Sequence, residues 1–195
     1  MAEVVAETPR LRLRDWADAD EAAFYDVMNT PAVMQHLGGV QTPEQWHEAF
    51  ERLRGYSRDF GHTFWILEDS ASGEMLGFCG LKRVNSPGAG GLGGAPEIGW
   101  RLRESTWGKG FAKEAAIACI DLAFGRFGYD WLIAMTIPPN RDSQGLMQRL
   151  GMQRRSDLDF VDQRFGPEVN PQIVYDLNAA DWPSARAAAL AGRLG

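Results

Sequence analysis

From Arg10 to Trp16 charged and apolar residues alternate with a period of two, the pattern of a strand with one buried and one wet face. Asp18 and Glu21 then stand as a capping box ahead of Phe24, Val27 and Met28, which recur at helical spacing. Thr30-Pro31 opens a short helix through Met34 that Gly38-Gly39 ends. Thr42-Pro43-Glu44-Gln45 opens a longer one, with Thr42 as cap, Pro43 at the first helical position and Gln45 closing the box. The stripe Trp46, Ala49, Phe50 and Leu53 gives that helix its apolar face. Strands are predicted over 63–69 and 74–84 around the turn Ser70-Ala71-Ser72-Gly73, followed by a flexible Gly/Pro loop over 86–96.

A strand-like run, Glu97 to Leu102, precedes a helical pattern over 110–126, where Ala112, Ala116, Ile117, Ile120, Phe124 and Phe127 share a face and Gly128 is the stop. Trp131–Ile137 reads as a buried strand and Asp142–Leu150 as a short helix. Residues 152–165 and 170–177 are expected to close a sheet as an antiparallel pair, and the Ala-rich tail from Asn178 to be a surface helix or disordered.

Composition narrows the class. A chain of 195 residues with 45% hydrophobic residues, seven Trp and ten Phe is long enough to bury a core in one domain without disulfides or metal. Cys79 and Cys119 each sit in apolar surroundings and read as inert core thiols. His36, His47 and His62 lack ligand-spaced partners, so no metal is expected. No apolar run approaches about 18 residues and no leader pattern opens the chain, so a cytoplasmic protein without membrane contact is expected. The net charge of −6 argues against a nucleic-acid partner. Locally the sign reverses: Arg101, Arg103, Lys109 and Lys113 oppose only Glu104, a patch suited to a polyanion.

The chemistry concentrates in Trp107-Gly108-Lys109-Gly110-Phe111-Ala112, between the strand and the helix. Backbone N–H groups at a helix start have no intrahelical partner and share the positive end of the helix dipole, so they bind pyrophosphate, and the glycines allow close approach. The spacing is wrong for a P-loop, and position 113 is Lys113 where a dinucleotide fingerprint needs glycine. The literal fingerprint Gly88-Ala89-Gly90-Gly91-Leu92-Gly93 lies between prolines, where no helix opens. No Gly-x-Ser-x-Gly elbow marks a hydrolase.

With Thr8-Pro9-Arg10-Leu11-Arg12-Leu13-Arg14, Glu97-Ile98-Gly99-Trp100, Trp107–Ala112 and Asn140-Arg141-Asp142-Ser143 in order, the chain resembles the GNAT superfamily of acetyl-CoA-dependent N-acetyltransferases, within it the RimJ/RimL-like branch. The resemblance implies a GNAT-like domain over 8–177 after a lead of residues 1–7. Its single-domain α+β or α/β architecture would be a central mixed, mostly antiparallel sheet of about seven strands flanked by helices, the fourth and fifth parallel and splayed. It implies acetyl-CoA as co-substrate, held by Trp100, Leu102, Arg103, Trp107, Gly108, Lys109, Gly110, Phe111, Ala112, Asn140 and Ser143. Glu97 would be the catalytic base, backbone N–H groups around Trp100 to Leu102 would meet the oxyanion, and Ser143 would lie near the sulfur. Trp107 replaces the Gln or Arg common at that motif position, and no Tyr stands between Tyr129 and Tyr175 as general acid.

The expected reaction is direct acetyl transfer to a primary amine, a peptide N-terminus or a small molecule, in a ternary complex. The alternative is a non-catalytic coenzyme A-binding regulatory or interaction module. Asn140 or Asp142 can equally serve as a helix cap. The acceptor pocket is implied at 24–40, 83–96 and 155–170, where Asp157, Asp159, Asp162 and Glu168 favour a cationic acceptor. The pattern leaves a homodimer open.

Overall fold

The computed structural model describes residues 2–192. Its strands are β1 (Val4–Glu7), β2 (Leu11–Arg14), β3 (Phe64–Asp69), β4 (Met75–Arg83), β5 (Pro96–Leu102), β6 (Trp131–Thr136), β7 (Gln153–Arg154) and β8 (Ile173–Asn178). They join in one sheet ordered β1-β2-β3-β4-β5-β6-β8-β7. β5 and β6 are parallel, with Glu97 opposite Ile133, while the β1/β2, β2/β3, β3/β4, β6/β8 and β7/β8 pairs are antiparallel. The expected mixed, mostly antiparallel sheet is therefore present, with eight strands. The residue 1–7 lead supplies the addition, because Val4–Glu7 pairs along β2. The strands expected as fourth and fifth are thus β5 and β6.

The chain divides into two compact units, one built on the chain up to Lys82 with Gly99–Cys119, the other on Arg83–Ile98 with the chain from Ile120. In the first, helices α1 (Asp20–Met28), α2 (Pro31–Met34) and α3 (Pro43–Phe60) cover strands whose inner face is aromatic. Trp16 meets Phe24 and Phe50 edge-on at 4.8 and 5.3 Å, its indole N–H donates to the Phe64 carbonyl, and Phe64 stacks on Phe78 at 4.9 Å. The capping box at Thr42 and Gln45 forms as expected, and Thr30 caps α2. The Asp18/Glu21 box does not. Ala19 stands at the cap position, and the Asp20 carboxylate is drawn back to the Ala17 N–H and, bidentate, to Arg14. A charge-assisted fork outcompetes a local cap.

In the second unit, the helix α4 (Phe111–Asp121) ends and widens into one turn over Leu122–Arg126, marked by the Phe127 N–H donating to the Leu122 carbonyl, before Gly128 at φ 65°. Helix α5 (Arg141–Arg149) follows β6. The loop expected to be flexible over 86–96 is instead packed: Ala89, Leu92 and Ala95 are buried with Ile133, Phe160 and Val174, and Val84 and Ala95 are joined through their backbones. The expected strand over 152–165 shrinks to Gln153–Arg154 and one bridge, Phe160 opposite Gln172. Asn170 and Asp162 organise the intervening turns through side-chain-to-backbone bonds that compete with a ladder. Of the two expectations for the tail, the surface helix is the one that forms, all but two of its residues exposed or half-buried. Helix α6 (Trp182–Leu190) buries Trp182 and Ala189, and Asp121 receives both the Trp182 indole and Arg186.

Candidate active site

Leu102 ends β5, and the chain makes one tight turn over Glu104–Thr106 before Trp107. The Thr106 hydroxyl donates to the Arg103 carbonyl at 2.6 Å, and the Trp107 indole donates to the Leu102 carbonyl at 2.7 Å, which ties the loop to the strand end. Gly108 and Gly110 follow at φ 71° and 79°, in the left-handed region that costs other residues about 1–2 kcal/mol. At Gly110 a Cβ would meet only the Arg10 guanidinium at 3.5 Å, so backbone conformation, rather than space, demands glycine there. α4 then opens at Phe111, its first N–H groups lacking intrahelical partners. A strand end, two left-handed glycines and a helix start bring together backbone N–H groups of the kind that receive an anion.

Side chains from the turn between β1 and β2 contact this loop and the helix start. Glu114, in the first turn of α4, accepts from the Thr8 hydroxyl at 2.6 Å and from the Arg10 backbone N–H and Nε at 3.0 and 2.6 Å. Arg10 also donates from Nη1 to the Lys109 carbonyl at 3.0 Å and lies over the Phe111 ring at 4.4 Å. Burial alone would raise the Glu114 carboxyl, but these donors outweigh it and hold it below the usual carboxylate value. Sequence reading missed this clamp. The only local hint was an acidic residue in the first turn of a helix.

The positive patch is less uniform than its residue count. Arg103 is engaged by Glu74, and the Thr30 hydroxyl donates to Glu104. Lys109 is exposed and Lys113 half-buried beside the loop. Arg101 turns elsewhere, over the Phe78 ring.

In the second unit, Glu97 is a buried carboxylate, 8% exposed, on β5. Asn140 caps α5, its Oδ1 accepting the Ser143 N–H at 3.2 Å. Among the described residues its amide N–H group has no acceptor, so capping leaves a donor for a ligand. Ser143 is half-buried in the first turn of α5. The carboxylates that favour a cationic acceptor are largely matched: Asp157 by Arg155, Asp159 by Arg154 and Asp162 by Arg164. Elsewhere in the first unit, His62 is buried with Nδ1 at 3.0 Å from the Leu81 carbonyl, and His47 pairs with Glu21 at 2.7 Å. Cys79 and Cys119 are buried with their sulfurs 3.5 Å apart, and burial, then Cys79, pushes the Cys119 thiol well above its usual value. Such thiols are poor nucleophiles.

Comparison with known proteins assigns this fold to a class of acetyltransferases. The family described as acetyltransferase (GNAT) domain matches residues 10–153, and the chain belongs to that family. It is 33% identical over 153 residues to the uncharacterised N-acetyltransferase p20 of Bacillus licheniformis, covering 77% of this chain and 83% of that one. It is 32% identical over 148 residues to the uncharacterised protein YkkB of Bacillus subtilis (strain 168), covering 74% and 83%. The crystal structure of an acetyltransferase from Agrobacterium tumefaciens superposes with a TM-score of 0.72 at 28% identity, over 89% of this chain and 93% of that one. The protein is an acetyltransferase. No helix among the described residues is long and apolar enough to cross a membrane.

Proposed function

We propose that this enzyme transfers acetyl from acetyl-CoA directly to a primary amine within a ternary complex. The observation that carries the reading is the cradle, two left-handed glycines running into the start of α4 and clamped by Arg10. Trp107 to Ala112 would hold the pyrophosphate, with Lys109 adding charge, and Asn140 would hydrogen-bond the pantetheine arm.

Acyl transfer then needs a neutral amine, an oxyanion site and a leaving thiolate. An alkylamine with a pKa near ~10.4 arrives protonated at neutral pH. Glu97, buried on β5, accepts that proton, directly or through a water. The freed lone pair forms the new C–N bond at the thioester carbonyl, and N–H groups between Trp100 and Leu102 meet the oxyanion. Collapse breaks the C–S bond. A thiolate of pKa near ~8.5 is a tolerable leaving group and takes the second proton of the attacking nitrogen, relayed through the Ser143 hydroxyl or a water, which requires no Tyr in the α5 motif. The RimJ/RimL-like pattern adds peptide N-termini to the candidate acceptors, alongside small amines.

Steady release of free coenzyme A thiol from acetyl-CoA, measured against peptide N-termini, polyamines, amino acids and aminoglycosides, tests the reading. Turnover of at least one class above the uncatalysed rate is expected. Binding of acetyl-CoA with no turnover of any would leave a coenzyme A-binding module and overturn catalysis.

A further inference from the structure

Most of the arginines that are part-buried here have a carboxylate. Arg14 is held by Asp20 and Glu68, Arg103 by Glu74, Arg155 by Asp157 and Asp176, and Arg186 by Asp121. Arg101, half-buried on β5, is different. Its guanidinium lies over the Phe78 ring, 5.2 Å from the centroid, and Nη1 donates to the Met34 thioether at 3.5 Å. Among the described residues no carboxylate reaches it within ion-pair distance. A guanidinium carries five N–H donors, and a thioether is a weak acceptor, so almost all of its hydrogen-bonding capacity is unspent.

The energetic consequence is visible in its acidity. Desolvation lowers Arg101 to about 10, with no neighbouring charge to offset it. It remains a cation at neutral pH, held at a cost that Met or Leu in its place would remove. The surroundings keep it there. Gly99, two residues earlier on the same strand face, leaves room for the Phe64 ring, which a Cβ would meet at 2.6 Å, and Phe64 stacks on Phe78 beneath the guanidinium. Strand alternation also puts Glu97 on the face of β5 that carries Gly99 and Arg101. An uncompensated cation on the strand of the candidate base marks a candidate site for an anion that arrives with a ligand.

We propose that Arg101 anchors a carboxylate on the acceptor, which makes the acceptor class small amino-carboxylates instead of polyamines or other cationic amines. The inference rests on the reading of the enzyme as an amine acetyltransferase and narrows it. It also reverses the electrostatic expectation drawn from Asp157, Asp159, Asp162 and Glu168, of which the three aspartates are matched by arginines.

The test compares matched acceptors: an amino acid, its carboxamide, its decarboxylated amine and a short peptide with an acidic side chain, each assayed by thiol release with the wild-type, Arg101→Met and Arg101→Lys enzymes. The wild type should prefer the free amino acid over its carboxamide by roughly 10- to 100-fold in kcat/KM, the loss expected when a charge-assisted bond is missing. Arg101→Met keeps the backbone N–H and should raise KM for the amino acid by a similar factor, while KM for the carboxamide, which has no anion to anchor, moves far less and the acetyl-CoA dissociation constant stays within about two-fold. Arg101→Lys should recover part of the loss. The Met variant should melt no lower than wild type, since it removes an unmatched cation. Preference for the decarboxylated amine, an equal loss on every acceptor, or weakened acetyl-CoA binding would each overturn the anchor, and preference for the acidic peptide would overturn the small-molecule class. If no amine is turned over, the transferase reading fails. Calorimetric binding of the amino acid to wild type and to Arg101→Met then still decides, because equal affinity or no binding refutes the anchor.

Discussion

At the scale of single residues, the account assigns proton transfer and coenzyme binding to different positions, so the two should separate by mutation. Glu97→Gln keeps the shape of a buried side chain and removes its proton acceptance. At neutral pH it should lower kcat by about 10²-fold or more while the dissociation constant of acetyl-CoA stays within about two-fold. Full activity would move the role to water or another carboxylate. Gly110→Trp puts a side chain at φ 79°, where strain and bulk fall on the cradle. Titration with acetyl-CoA should show affinity falling by at least about ten-fold while the melting temperature drops by only a few degrees, and unchanged affinity would exclude this loop as the pyrophosphate site. Gly110 was singled out by a local signal, a glycine turn before a helix, whereas Glu97 was singled out by the family resemblance, since an acid near a strand start carries no role by itself. Arg101 was not legible from the sequence, for nothing local separates an arginine that meets a carboxylate from one that meets an aromatic ring.

Among elements, the turn between β1 and β2 acts together with α4. Arg10 and Glu114 are 104 positions apart, so no sequence window holds both, yet their contacts decide where the helix start points. The ion pair is about half exposed on the arginine side, and such solvent-screened pairs are worth about 1 kcal/mol or less. Arg10→Ala should therefore lower the melting temperature by no more than a few degrees but weaken acetyl-CoA binding several-fold, and an unchanged dissociation constant would show that the clamp is ornamental to the cradle. The capping box of α3 gives the opposite profile. Thr42→Ala should cost about 1 kcal/mol in urea unfolding with kcat/KM unaffected. That box was readable because cap, proline and glutamine are contiguous. The Asp18/Glu21 box looked equivalent and failed, since Asp20 found Arg14, a competitor on another element. The shortened β7 has the same origin in side chains that capture backbone groups over 159–170.

For the whole molecule, acid is the informative stress. The folded Glu114 carboxyl lies below its ordinary value of 4.5, so the unfolded chain binds the proton first, and stability from this clamp is complete above that value and lost as pH falls through the depressed one. Urea unfolding free energy should be flat in this contribution from neutrality down to about pH 5 and fall below it, and Glu114→Gln should flatten that acid limb. A variant with the wild-type slope would assign acid sensitivity elsewhere. The sheet order follows from elements whose patterns were largely clear, while the eighth strand and the packed 86–96 loop depend on partners distant in sequence. The central claim is direct transfer between two bound substrates. Initial velocities of thiol release, measured over a grid of acetyl-CoA and amine concentrations, test it most directly: the account predicts reciprocal plots that intersect, whereas parallel plots with acetyl recovered on Cys79 or Cys119, or no release above background, would contradict it.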